Sequence, residues 1–230
     1  YESLTSEAVI KGLWDGKGWV TKAASGASVG IVLDRSPFYG EAGGQVGDAG
    51  RIEGPKGKAD VAQTTWADDV LIHHATVREG TLSLQEPVRA SVDPERRLQI
   101  ARSHTAAHML HWALRKVLGP EAMQAGSYVE TERVRFDFSS LAGLREEQRA
   151  QVEALVNSRV RLADEIHASQ MRLEEAKRDG ALALFGEKYG GTVRVVTIGD
   201  YSKELCGGTH LRHTGFVGTF LITGESSIAA

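Results

Sequence analysis

Val88-Arg89-Ala90-Ser91-Val92-Asp93-Pro94-Glu95-Arg96-Arg97-Leu98 is the stretch at which the texture of this chain changes, and its reading decides the fold. Residues 88–92 are β-prone. Asp93 then suits a helix N-cap, Pro94 the first helical position, and Glu95 the positive end of the helix dipole. Beyond it, Leu98, Ala101, Ala106, Met109, Leu110, Ala113, Leu114 and Val117 recur at helical spacing until Gly119-Pro120 stops the helix. Upstream lie other short β-prone runs, at residues 18–21, 29–33, 58–61 and 69–77, separated by Gly54-Pro55, Lys56-Gly57 and Glu79-Gly80. Many short strands at this spacing predict a small β-barrel or sandwich. Downstream, the pattern predicts a strand pair over 123–129 and 133–138, a second long helix over 145–168, and a short strand at 171–173. A helical piece over 174–185 and strands over 192–198 and 217–223 complete it. The fold class is α+β, with a β-barrel subdomain over 1–93 and an α+β core over 94–230.

The chain has 230 residues, 41% of them hydrophobic and 25% charged, which excludes a disordered polymer and leaves enough chain for a real core. A net charge of −3 gives no sign of bulk phosphate binding, so any nucleic-acid contact must be local. One cysteine, Cys206, excludes an internal disulfide framework and suits a reducing compartment. No apolar run approaches the roughly 18–20 residues of a membrane span, and no signal peptide opens the chain. A cytoplasmic protein with no membrane partner is expected. The start at Tyr1 without a methionine, and the abrupt end in Ser226-Ser227-Ile228-Ala229-Ala230, read as a piece of something longer.

Two short motifs carry chemistry. His104-Thr105-Ala106-Ala107-His108 sets two imidazoles one turn apart on one helix face. Cys206-Gly207-Gly208-Thr209-His210 sets a thiolate and an imidazole at the same four-residue spacing, with two glycines that permit a tight turn. Taken singly, a helical histidine is more often a core residue and a lone cysteine a small hydrophobe. Together His104, His108, Cys206 and His210 form the borderline-to-soft donor set that zinc takes tetrahedrally. Thr105 stands where a zinc peptidase of the His-Glu-x-x-His type would carry its glutamate, which weighs against a peptidase. His111 is either a partner behind the metal ligands or a plain core or surface residue. His73, His74 and His213 lack any partner pattern and are read as solvated.

A second feature is Pro37-Phe38-Tyr39-Gly40-Glu41-Ala42-Gly43-Gly44-Gln45-Val46-Gly47-Asp48, a glycine-permitted loop bearing an amide, two carboxylates and aromatics. By itself it is a barrel turn. Gln124-Ala125-Gly126-Ser127 and Arg133-Val134-Arg135-Phe136-Asp137-Phe138 follow the metal helix. There Val134, Phe136 and Phe138 share one strand face, and Arg135 and Asp137 the other, as a simple ion pair.

In this order, the loop from Phe38 to Asp48, Ser103-His104-Thr105-Ala106-Ala107-His108, Gln124-Ala125-Gly126-Ser127, Arg135-Phe136-Asp137-Phe138 and Glu204-Leu205-Cys206-Gly207-Gly208-Thr209-His210 closely resemble the editing domain of bacterial alanyl-tRNA synthetase. The likeness runs nearly end to end; Lys188-Tyr189-Gly190 and Val193-Arg194-Val195-Val196 also look like the synthetase version. Related cores occur in threonyl-tRNA synthetase editing domains and in freestanding alanyl-tRNA editing proteins. The resemblance implies a β-barrel ahead of a zinc-containing core, with hydrolysis of mischarged Ser-tRNA(Ala) and Gly-tRNA(Ala). Implied partners are the tRNA(Ala) acceptor end carrying Ser or Gly and the remaining domains of a parent synthetase. Some freestanding relatives carry a threonine before the glycine loop for serine recognition; Glu41-Ala42 stands here instead, so that device does not carry over.

An aminoacyl ester is already activated, so a positioned water with modest polarisation suffices. The only thiol is claimed by the metal set, which disfavours a covalent nucleophile. Gln45, Asp48, Gln124 and Thr209 are the candidates for positioning water or substrate, each also readable as a satisfied structural polar group. The Gly43-Gly44-Gln45 loop is expected to border the metal pocket. Arg96, Arg97 and Arg102, or Arg115 and Lys116, could meet the acceptor end, although a solvated helix face explains each singly. A freestanding deacylase, or a non-catalytic zinc-stabilised tRNA-binding module, are the competing readings.

Overall fold

The computed structural model describes residues 3–140, 142–183 and 190–227. It divides into two compact units, Tyr1–Leu98 and Gln99–Ala230, and the protein is α+β with an N-terminal barrel.

The first unit contains strands β1 (Thr5–Trp14), β2 (Lys22–Ala24), β3 (Ser28–Leu33), β4 (Gly50–Glu53), β5 (Gly57–Ala67), β6 (Val70–Ser83) and β7 (Pro87–Val92). Hydrogen bonding runs β6-β3-β1-β7-β4-β5, and β5 pairs back onto β6, so six strands close a barrel while β2 extends the far end of β6. Closure removes the free edges that would template aggregation. Alternation along β7 shows how the sequence fills it: Val88, Ala90 and Val92 are buried while Arg89 faces solvent. Ile10, Leu13, Ile31, Ile52 and Leu82 fill the interior and are wholly inaccessible. At Gly80, φ is +65° and a Cβ would stand 1.9 Å from the Lys56 carbonyl oxygen, so only glycine lets β5 and β6 approach there.

Helix α1 (Pro94–Leu118) begins as read: Asp93 Oδ1 accepts from the backbone N–H of Glu95 (3.0 Å) and Arg96 (3.1 Å). His73, by contrast, is not solvated. It is wholly buried on β6; Nδ1 lies 2.9 Å from the Ile31 carbonyl and Nε2 2.7 Å from Ser36 Oγ. Because a carbonyl only accepts, Nδ1 carries the proton and Nε2 accepts from the Ser36 hydroxyl. A histidine at a strand position with an inward register is buried by the pleat, whatever its polarity.

The second unit contains the rest of α1, the hairpin β8 (Gln124–Val129) and β9 (Val134–Phe138), helix α2 (Glu146–Leu162), and the antiparallel sheet β10 (Ile166–Arg172), β11 (Thr192–Ile198), β12 (Ser202–Leu205). A short helix α3 (Leu173–Arg178) and a 3₁₀ turn (Thr214–Val217) complete it. Arg135 and Asp137 form the expected ion pair, at 3.0 Å. Met109, Ala113 and Leu114 of α1 pack with Val152 and Val156 of α2 and Ile198 of β11 in one core; Ala176, Val193, Val195 and Leu205 form another.

Further expectations are corrected. The second long helix stops at Leu162 because Ala163 turns left-handed (φ 54°), and residues 166–172 pair with β11 from Ile166↔Ile198 to Arg172↔Thr192. Residues 217–223 are not a strand: Asn157 bonds both backbone groups of Phe220, and Glu153 Oε1 accepts from Ile222 N–H at 2.7 Å. Side chains of α2 thus satisfy a segment that a sheet would otherwise have to satisfy. Residues 18–21 contribute only an isolated bridge, Trp14↔Trp19. The helix expected over 174–185 is described only to Ala183, helical to Arg178; Phe185 lies outside the described residues, as do Lys188 and Tyr189. Among the described residues, no helix is long and apolar enough to cross a membrane.

Candidate metal centre

The two four-residue pairs meet. Helix α1 presents His104 and His108, 7% and 6% exposed, with ring centroids 5.4 Å apart. Strand β12 delivers Cys206 at its end, and the glycine turn returns His210 toward it. The turn is held by β11: Cys206 N–H donates to the Arg194 carbonyl (3.0 Å), while Arg194 Nη1 donates to the carbonyls of Cys206 (2.9 Å) and Gly208 (2.8 Å). The Gly208 N–H points at Cys206 Sγ, 3.4 Å away. One ligand atom from each of His104, His108, Cys206 and His210 then lies within 4.8 Å of all the others.

Two of the separations, both from Cys206 Sγ, are close to those of a tetrahedral ion. Zinc–nitrogen bonds of about 2.0–2.1 Å and a zinc–sulfur bond of about 2.3 Å require ligand atoms roughly 3.3–3.6 Å apart. Cys206 Sγ is 3.4 Å from His104 Nε2 and 3.2 Å from His210 Nε2. Donor softness agrees: three imidazoles and a thiolate suit zinc and not calcium or magnesium.

Electrostatics also ask for positive charge at this point. Burial opposes ionisation of Cys206, yet the rings of His104, His210 and His108 draw its thiol well below the ordinary 9.0. Burial pulls His108 down, but the carboxylate of Glu204 and the Cys206 thiolate outweigh it and lift His108 to about 9. At His210 burial prevails and the ring falls to about 3. A thiolate and a buried carboxylate thus flank the imidazoles, and either a proton or a cation balances them.

Three further residues stand behind the cluster: Thr105, Glu204 and His111. Thr105, wholly buried, sets Oγ1 3.2 Å from His210 Nδ1 and accepts from Leu211 N–H at 3.2 Å. It occupies the position of the missing peptidase glutamate and contacts the His210 ring instead. Glu204, 3% exposed, lies with Oε2 3.3 Å from His108 Nδ1 and Oε1 3.0 Å from His111 Nδ1. Burial would raise its carboxyl, and the two imidazoles more than reverse that. In the sequence its signal is a carboxylate two residues before Cys206, next to apolar Leu205.

Of the four candidate positioning residues, two belong to the second unit. Thr209 is 4% exposed within the metal turn, and Gln124 opens β8 with Nε2 3.1 Å from Ser127 Oγ. A cavity of about 450 Å³ lies beside Glu204 and His111, lined also by Trp112, Arg115, Tyr201 and Lys203, and by none of the four cluster residues.

Gln45 and Asp48 belong to the first unit, where both are wholly buried. The loop is a two-residue hairpin turn: Ala42 and Gln45 exchange backbone bonds of 3.2 and 2.9 Å, and Gly43 and Gly44 both have positive φ (54° and 76°), which glycine alone adopts freely. Asp48 accepts from Arg97 Nε (3.0 and 3.1 Å) and Nη2, and from Tyr39 N–H at 2.6 Å, while Arg97 Nη2 also donates to the Pro37 carbonyl at 3.0 Å. Arg97 is therefore neither a solvated charge nor a group facing RNA; it is 7% exposed and clamps the loop. Arg96 Nη2 reaches the Gly47 carbonyl at 3.3 Å, and Arg102 Nε the Phe216 carbonyl at 3.1 Å.

Against known proteins, residues 1–96 match the model of class II (A) tRNA synthetases, and residues 193–230, which include Cys206 and His210, match the threonyl and alanyl tRNA synthetase second additional domain. The similarity is thus to class II tRNA synthetases of the threonyl and alanyl kind. Over its whole length the chain is 47% identical to the alanine–tRNA ligase of Thermus thermophilus, 47% to that of Myxococcus xanthus and 44% to that of Legionella pneumophila. It resembles alanyl-tRNA synthetase, as the motifs indicated. The matched region is 27%, 26% and 27% of those relatives, so the chain spans about a quarter of their length.

Proposed function

We propose that this chain is the proofreading segment of an alanyl-tRNA synthetase and hydrolyses the ester of Ser-tRNA(Ala) and Gly-tRNA(Ala). The observation that carries the reading is the convergence of His104, His108, Cys206 and His210 within 4.8 Å, two of them inside the threonyl and alanyl second additional domain match. In this reading the four residues hold one zinc ion per chain. Bound there, zinc supplies Lewis-acid polarisation and fixes the shape of the pocket.

The rest follows from the chain's own groups. Cys206 is enclosed by His104 and His210, so its thiolate is engaged and direct attack by water replaces a covalent nucleophile. Thr209 and Gln124 are the proposed positioning residues of the second unit, and Gln45 and Asp48 those of the first. A hydrogen bond to the serine hydroxyl gives discrimination against alanine, because the partner group is left unpaired when alanine enters. The acceptor end of tRNA(Ala) is the proposed partner, together with the other domains of the synthetase. With a net charge of −3, the chain alone should bind tRNA weakly and lose that binding as salt rises.

The test is deacylation of tRNA(Ala) charged with Ser, Gly or Ala by the zinc-loaded chain. Loss of the Ser and Gly esters with survival of the Ala ester is expected. Intact Ser ester after prolonged incubation would overturn the enzymatic reading and leave a metal-stabilised tRNA-binding module.

A further inference from the structure

We infer that Glu204 is the positioning residue of the metal centre: clasped between His108 and His111, it fixes which nitrogen of His108 faces the other ligands. The inference rests on the zinc reading above and extends it to a residue outside the four-ligand set.

Three observations support it. First, Glu204 is a carboxylate buried to 3% exposure on β12, where Ser202 and Leu205 are buried as well. A charge in that place is costly to bury unless it is paired on both oxygens. Second, an imidazole stands at each oxygen: Oε1 accepts from His111 Nδ1 at 3.0 Å, and Oε2 lies 3.3 Å from His108 Nδ1, within ion-pair reach though outside hydrogen-bond geometry. Third, the two histidines are three residues apart on α1, hence on one face, so a single carboxylate from β12 can reach both.

The consequence for His108 is geometric. With Nδ1 turned to an acceptor-only group, Nδ1 holds the proton and Nε2 is left for the cluster. Metal-ligating histidines are commonly fixed by such a carboxylate, and its loss typically costs 10–100-fold in metal affinity. His111 takes no part in the four-residue cluster; 1% exposed, it holds the other oxygen of Glu204 and keeps the carboxylate from rotating away. Thr105 does the corresponding work for His210, from the next position on α1 after His104.

The experiment measures zinc affinity of the full chain by competition with a chromophoric chelator, alongside nitrogen-15 NMR of the zinc-loaded wild type. The expected spectrum shows His108 protonated at Nδ1 and metal-bound at Nε2. Metal bound through Nδ1 overturns the inference with no variant needed. Glu204→Gln, which keeps the size but cannot accept at both ends, should weaken zinc 10–100-fold, and Glu204→Asp should recover part of the loss. His111→Phe should weaken zinc by less than Glu204→Gln does. If Glu204 merely ties β12 to α1, metal-free unfolding shifts while zinc affinity stays within about twofold of wild type, and the inference is lost. A wild-type chain that binds no zinc fails differently: the zinc reading itself falls, and this inference with it.

Discussion

Acid should destabilise the barrel through His73, and the size of the effect follows from its surroundings. Burial pushes His73 down from 6.5 to about 4, outweighing the Ile31 carbonyl that favours the protonated ring; neighbouring His74 pushes the same way as burial. Above pH 6.5 the ring is neutral folded or unfolded, and it contributes no pH dependence. Between 6.5 and about 4 the unfolded chain takes up a proton that the folded barrel refuses, so stability falls as the pH falls. Integrating that difference gives about 2 kcal/mol lost by about pH 5 and about 3 kcal/mol by about pH 4. The assay is urea unfolding of wild type and His73→Asn from neutral pH down to about pH 4. Asparagine removes the imidazole bonds and is less stable at neutral pH, yet does not titrate, so the gap between the proteins should narrow by those amounts on acidification. A gap constant across the range, or a His73 NMR titration centred near 6.5, refutes the reasoning.

Other consequences are sharper in place than in size. Arg97→Met strands the buried carboxylate of Asp48 and should cost about 3–5 kcal/mol in chemical denaturation, with the effect confined to the first unit's transition. Cys206→Ala should remove most bound metal and most Ser-tRNA(Ala) hydrolysis while far-ultraviolet circular dichroism stays near that of wild type; near-native activity would leave the thiolate without a role. Thr105→Val keeps the shape but deprives Leu211 N–H of its acceptor and His210 of its anchor, so stability should fall about 1–3 kcal/mol and zinc affinity roughly tenfold.

What the sequence made legible depended on whether the deciding interaction was local. Helix α1 runs from Pro94 to Leu118 as expected, because Asp93 caps it from the preceding residue and Gly119, at φ +106°, ends it. The metal cluster was legible for a related reason: each of its pairs is four residues apart, and a helix turn or a glycine turn brings such neighbours together. Residues 163–168 misled, since Ala-Asp-Glu-Ile-His-Ala has helical composition, whereas pairing with β11 settles the conformation from Ile166 onward. The strand β1 escaped notice for lack of clean alternation; a register shift between Ile10 and Gly12 breaks its period. Glu204 and Arg194 act through residues far away in sequence or through the backbone, and spacing alone carries no trace of such contacts.

The central claim is that this chain cleaves an aminoacyl ester at a site held together by one zinc ion. Its most direct test is the initial rate of Ser-tRNA(Ala) deacylation by metal-stripped chain, measured against added zinc. A rate near background without metal, a linear rise, and a break at one equivalent per chain are expected. A rate that is already maximal in the stripped protein and flat across the titration would contradict it.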